Sequence, residues 1–339
     1  MSEEADRDRM PVVLLSGFLG SGKTTLVNAL LRDARLADTA VAVNEFGAVP
    51  LDRALIDHGE DSTVVMANGC LCCNLSGDME TAVMRLFSRR ESGALPRFKR
   101  LIIEPSGLSD PAPIAQAILR NPMMARALRL EAIVTTVDAL FAETQLARHA
   151  ETQKQIALAD TLVLTKTDLA DPDAVARVKA ALTRLNAAAP MLTATQGEVD
   201  AGALFPAGFL HPGSVAAAPR SGLFAERVLP DGDPAHAARV AAVSLAAERP
   251  LRWPAFEAWL RGIRLGHAER LLRVKGMLAV QGMAGPVVVH GVHHVLHAPV
   301  ALERWPDGDR RSRLVMIADA ATGGAIKASW AAALPGMMP

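Results

Sequence analysis

The run Pro11-Val-Val-Leu-Leu-Ser16 leads directly into Gly17-Phe-Leu-Gly20-Ser-Gly22-Lys23-Thr24, and this junction decides the fold. A short apolar run that breaks into a glycine-rich loop and then opens a helix, from Lys23 to about Arg32, satisfies G-x-x-x-x-G-K-[ST] in its required strand–loop–helix context. Gly17, Gly20 and Gly22 let main-chain N–H groups turn toward phosphate oxygens, Ser21 lies among them, and the helix N-terminus adds its positive end. Lys23 is placed to neutralise β- and γ-phosphates, and the Thr24 hydroxyl to hold Mg²⁺.

Working outward, further strands are predicted at Thr39–Asn44, Ser62–Met66, Arg100–Glu104, Ala132–Val137, Thr161–Thr165 and Met191–Thr195. They are short, apolar and β-branched, as strands buried on both faces are. Helical stretches such as Gly77–Arg90 and Asp173–Asn186 separate most of them. The fold class is therefore α/β, a P-loop NTPase with a mostly parallel sheet. Residues 206–237 are rich in Gly, Pro and Ala and read as a linker between a domain at 10–205 and a small α+β C-terminal domain at 238–335. In the latter, strands are expected at Arg239–Ala246, Leu271–Val280, Val287–Leu296 and Arg313–Ala318, with helices at Trp253–Arg261 and Gly324–Ala333.

The chain of 339 residues has room for two domains. Half of it is hydrophobic, and Lys+Arg and Asp+Glu both number 36. That balance gives no electrostatic case for nucleic acid or an anionic membrane as partner. The charged start MSEEADRDRM is unlike a secretory signal, and no apolar run approaches the ~18–20 residues of a membrane span. A cytoplasmic location is expected, and the oligomeric state is left open.

All three cysteines fall in one tetrapeptide, Cys70-Leu-Cys72-Cys73. Three thiolates on so short a loop suit zinc or another thiophilic divalent ion; a buried structural turn or a redox pair uses the same residues. Neighbouring cysteines make poor disulfide partners. Three ligands would leave one tetrahedral position open, as exchangeable sites do.

Three more strand ends carry chemistry. Glu104 closes Leu101-Ile-Ile103 where a second Mg²⁺-side carboxylate belongs, and Gly107 follows where a main-chain N–H can sense the γ-phosphate; a strand-end acid before an ordinary turn gives the same letters. Thr165-Lys-Thr-Asp168 resembles the N-K-x-D guanine-reading element with Thr165 in place of Asn. The Asp168 carboxylate would accept from guanine N1–H and the 2-amine, the Lys166 stem would lie against base or ribose, and the amide lost with Asn would have braced the phosphate loop. GTP is favoured over ATP; the alternative is a surface turn capping the helix near Asp173. Asn44-Glu45-Phe46-Gly47 precedes an irregular stretch able to order around a γ-phosphate. There Glu45 is a fourth metal ligand, a water-orienting group or a solvated acid.

Taken in order, GFLGSGKTT, NEFG, GCLCC, EPSGLSDP and TKTD resemble the CobW-type metal-chaperone GTPases, P-loop proteins related to the urease and hydrogenase maturation GTPases. The resemblance spans residues 11 to about 195, and more loosely Arg273-Val-Lys-Gly276 and a C-terminal domain similar to the family's CobW-C module. It implies phosphate and Mg²⁺ binding by Gly20, Ser21, Gly22, Lys23, Thr24 and Thr25, and Glu104 on the Mg²⁺ side. It further implies guanine reading by Lys166 and Asp168, and zinc, or Co²⁺ as the other candidate, at Cys70, Cys72 and Cys73. The implied function is GTP-dependent delivery of zinc to a client metalloprotein. The rivals are a cobalamin-pathway accessory supplying cobalt, a zinc-responsive module without catalysis, and a small-molecule kinase with structural zinc. Two positions depart from the family: Ala48 stands where Glu is common after NEFG, and Thr165 replaces Asn.

Four of nine histidines lie in His290-Gly-Val-His293-His294-Val-Leu-His297. On a strand, His290 and His294 would share one face and His293 and His297 the other, as a secondary metal or docking site or as solvated polar residues.

Overall fold

The computed structural model describes residues 9–43, 63–65, 71–74, 79–205, 240–306 and 308–339, with the backbone alone described at 63–65, 71–74, 79, 80 and 82. The expected linker at 206–237, Glu45 and Cys70 lie outside the described residues. Two compact units carry one sheet each.

The first sheet has eight strands: β1 (Met10–Gly17), β2 (Thr39–Val43), β3 (Thr63–Val65), β4 (Leu71–Asn74), β5 (Arg100–Glu104), β6 (Leu128–Asp138), β7 (Thr161–Thr165) and β8 (Met191–Ala194). Their order is β3-β4-β2-β5-β1-β6-β7-β8, and every pairing is parallel except β3 with β4. β1 is buried along its whole length, as a central strand covered on both faces must be. On one face Val13, Leu15, Val41, Ile102, Val134 and Val163 pack against Leu26, Val27 and Leu30 of helix Lys23–Leu30. That packing fixes the helix N-terminus against the end of β1.

Two expectations change here. Cys72 and Cys73 were expected on a loop, but their backbone belongs to β4, paired with β2 at Val41↔Cys72 and Ala42↔Cys73. A cysteine-rich run carries no strand pattern of its own; the ladder to β2 supplies the order. β6 is longer than the predicted Ala132–Val137, because Arg129 and Glu131, which interrupt the apolar run, pair with each other while 4% exposed.

The second sheet comprises β9 (Ala241–Ala247), β10 (Leu271–Leu278), β11 (Val287–Val292), β12 (Val295–Leu296), β13 (Val300–Ala301) and β14 (Ser312–Ala318). It runs β12-β11-β10-β14-β9 with β13 on β11, all antiparallel. One face packs on helices Trp253–Gly266 and Ala320–Met337 through Phe256, Leu260, Ile263, Ile326 and Trp330. Val287–Leu296 is therefore a hairpin and not one strand. His293, at φ +51°, makes the turn, and Val292 pairs with Val295. The histidine faces expected of a continuous strand do not form. The turn instead sets His290 beside His297, with ring centroids 6.0 Å apart and the His297 N–H donating to His290 O at 2.9 Å. No helix among the described residues is long and apolar enough to cross a membrane.

Candidate nucleotide site

The loop after β1 folds as its glycines dictate. Gly17 sits at φ +141°, and a Cβ there would lie 2.2 Å from Thr136 Oγ1 and 2.7 Å from Ser21 Oγ. Gly22, at φ +89°, caps helix Lys23–Leu30 in the left-handed region, where a side chain is strained. Ser21 Oγ and Thr136 Oγ1 stand 2.7 Å apart, which ties the loop to the end of β6. Lys23 is buried, and its Nζ donates to Gly17 O at 3.0 Å and Phe18 O at 3.2 Å. The ammonium thus curls back over the loop crown. Thr25 is exposed one position beyond Thr24.

Thr24 Oγ1 donates to Glu104 Oε1 at 3.2 Å, and Glu104 is fully buried at the end of β5. A hydroxyl and a carboxylate oxygen at this separation are hard donors of the kind Mg²⁺ accepts, so these residues fit the ion that the sequence pattern implies. Gly107, in the turn after β5, meets the loop from the other side: a Cβ there would lie 2.7 Å from Leu19 N and 2.9 Å from Leu19 Cα. Only glycine permits that approach. Two segments distant in sequence, Lys23-Thr24 and Glu104–Gly107, converge on one loop.

At the end of β7 the hydroxyl of Thr165 changes the expectation about the missing Asn. Its Oγ1 donates to Ser21 O at 2.9 Å and to Val137 O at 3.2 Å, so the loop is braced without an amide. The shorter side chain suffices because Gly22 comes close, its would-be Cβ lying 3.5 Å from Thr165 Cγ2. Lys166 adopts φ +56°, and its Nζ donates to Gly20 O at 2.8 Å and to Asp138 Oδ2 at 2.7 Å. Asp168 lies exposed in the turn that follows. It does not cap the next helix: Asp171 accepts from the N–H groups of Asp173 and Ala174, which leaves the Asp168 carboxylate facing solvent.

Asp138 was not singled out in the sequence, although an acid closing an apolar run is the signal that marked Glu104. It is buried, accepts from Leu140 N at 2.9 Å, and anchors Lys166. Thr136 was likewise missed, having no motif around it. On the other flank of the sheet, β4, β2 and β5 lie side by side, with Cys73 beside Ala42 and Ala42 beside Ile103.

The CobW/HypB/UreG nucleotide-binding domain matches residues 11–193, and the cobalamin synthesis protein CobW C-terminal domain matches residues 240–334. The chain is 32% identical over 310 residues to the zinc chaperone YjiA of Escherichia coli, spanning 90% of this chain and 92% of that protein. It is 31% identical over 223 residues to the zinc chaperone CobW of Pseudomonas aeruginosa, spanning 56% of this chain and 58% of the relative. The crystal structure of Zn(II)-bound YjiA GTPase from E. coli is similar with a TM-score of 0.72 and 29% identity, covering 96% of this chain and 98% of that one. The chain belongs to the CobW/HypB/UreG family and carries its CobW C-terminal domain.

Proposed function

We propose that the chain is a GTP-hydrolysing metallochaperone that carries zinc on Cys70, Cys72 and Cys73 and hands it to a client metalloprotein. One observation carries this reading. The strand that holds Cys72 and Cys73 is hydrogen-bonded to β2, which leads into the Glu45 segment, and β2 is hydrogen-bonded to β5, which ends at Glu104. A change at the phosphates therefore reaches the cysteines through two ladders of backbone bonds. The names of the relatives YjiA and CobW, both zinc chaperones, support the same cargo.

In this reading Gly17, Gly20, Ser21, Gly22 and Thr25 line the phosphates, and Lys23 offsets their charge. Thr24 and Glu104 would hold Mg²⁺, which when bound neutralises charge on the β- and γ-phosphates. Lys166 and Asp168 read guanine, with Asp138 holding the lysine in place. Glu45 orients water or completes the metal shell. Co²⁺ is the alternative cargo for the same thiolates. The boundaries 10–205, 206–237 and 238–335 and a cytoplasmic location belong to the same proposal; the family matches at 11–193 and 240–334 support the former. Coupling of the two sites requires the nucleotide states to differ in metal affinity by about 1–3 kcal/mol.

The test compares zinc content and GTP turnover of wild type with the Cys70→Ser/Cys72→Ser/Cys73→Ser variant. Loss of zinc together with loss of metal-responsive turnover is expected. A variant that retains zinc stoichiometrically would sink the carrier role, and cobalt retained in preference to zinc by wild type would change the cargo.

A further inference from the structure

Helix Ala150–Leu158 belongs to none of the motifs, yet it carries Gln155, whose side chain is 1% exposed. Gln155 Nε2 donates to the carbonyl oxygens of Gly107 and Ser109, both at 3.0 Å. Since both neighbours are acceptors, the amide nitrogen must be the atom that faces them. The main-chain oxygen of the same residue accepts from Thr135 Oγ1 of β6 at 3.1 Å, so the clamp is tied to the sheet from behind. The helix reaches the turn again through Lys154, 3.7 Å from Asp110 Oδ2. Just before the helix, the His149 ring lies against Phe18 of the phosphate loop at 4.5 Å between centroids.

A trans peptide is planar, with its C=O and N–H pointing in opposite directions. Holding Gly107 O against Gln155 therefore fixes the plane of the Gly107–Leu108 peptide and with it the backbone at Gly107. Gly107 is also wedged against Leu19 of the phosphate loop, so the Gly107–Leu108 peptide is gripped at two points. We propose that Gln155 is a positioning residue for GTP hydrolysis, fixing the Gly107–Ser109 turn so that the Gly107 N–H is presented to the terminal phosphate. The inference rests on the reading of the phosphate loop as a GTP site. The other amide atom, Oε1, is buried without a partner among the described residues, which costs stability. A methionine of similar length would pack there without that cost, so the contribution of the amide lies in the two bonds it donates.

GDP lacks the terminal phosphate, and this separates positioning from mere packing. The experiment measures affinity for GDP and for a non-hydrolysable GTP analogue, and single-turnover hydrolysis, in wild type, Gln155→Met and Lys23→Ala. Gln155→Met is expected to keep GDP affinity within about twofold while slowing hydrolysis about tenfold or more and weakening the analogue. Equal weakening of both nucleotides, or no change in either affinity or rate, overturns the proposal. A second measurement needs no variant: in wild type, hydrogen exchange at the Gly107 amide should slow with the analogue and not with GDP, and equal exchange in both states likewise overturns it. Undiminished turnover by Lys23→Ala rejects the GTP site itself, whereas an unaltered Gln155→Met beside an inactive Lys23→Ala rejects only the role of Gln155.

Discussion

The two sheets place their polar residues differently. In the first, buried polar side chains gather where β1, β5, β6 and β7 end, at Ser16, Glu104, Thr136, Asp138 and Thr165. In the second they lie within the strands: β10 buries Arg273 and Lys275 along its length, and β9 alternates buried and more exposed positions, with Val243, Leu245 and Ala247 turned to the core. A parallel sheet covered on both faces has only its strand ends to offer a ligand, whereas an antiparallel sheet shows its character along the strand. Substitutions at strand ends of the first sheet should thus change nucleotide chemistry more than folding, and those in the second unit should do the reverse.

The sharpest way to break that contrast is Lys23→Ala. Removing the buried ammonium should lower kcat/KM for GTP by roughly 10²–10³ with little shift in thermal unfolding; a large drop in Tm with turnover preserved would reverse the assignment. Gly107→Ala comes next. Its methyl would collide with the main chain of Leu19, and hydrolysis measured at saturating GTP should fall about tenfold to a hundredfold. Thr165→Val keeps the shape but leaves Ser21 O without the hydroxyl that donates to it. It should cost about 1–2 kcal/mol, readable in urea unfolding and in weaker nucleotide binding. The smallest effect belongs to the second unit. Asp319 caps helix Ala320–Met337, accepting from Thr322 N and Thr322 Oγ1, both at 2.9 Å. Asp319→Ala should cost about 1 kcal/mol and leave GTP turnover unchanged.

That last variant also carries a pH signature. The Thr322 N–H holds the Asp319 carboxyl below its usual range, with the Thr322 hydroxyl and Arg270 adding to the effect against desolvation. A group titrating lower in the folded chain than in the unfolded one stabilises at neutral pH, and the contribution fades as pH falls through the folded value. The Tm difference between wild type and Asp319→Ala should therefore be full at pH 7 and shrink below about pH 4.

Legibility in the sequence follows the same division. Arg100–Glu104 and Thr161–Thr165 are read to the residue, because strands buried on both faces are unbroken apolar runs. The phosphate loop is legible because backbone geometry, not packing, demands its glycines. The hairpin at His293 was hidden, since its turn uses a histidine in the left-handed region where Gly or Asn would have announced it. The partners of Asp138 and Gln155 were invisible for another reason. Each residue acts through partners on other elements, Lys166 for one and the Gly107–Ser109 turn for the other, and no local spacing encodes such a pairing. The brace by Thr165 was misjudged because a sequence gives the length of a side chain but not the distance it must span.

The ladder joining β4, β2 and β5 has a consequence for the economy of the cell. Thermodynamic linkage is reciprocal, so whatever factor the nucleotide imposes on metal affinity, the metal imposes on nucleotide affinity. On the proposed cycle, a chain that has captured zinc differs from an empty one in its share of the guanine nucleotide pool. A scarce ion would thus be gauged against an abundant energy carrier within a single equilibrium, with three adjacent strands as the balance beam.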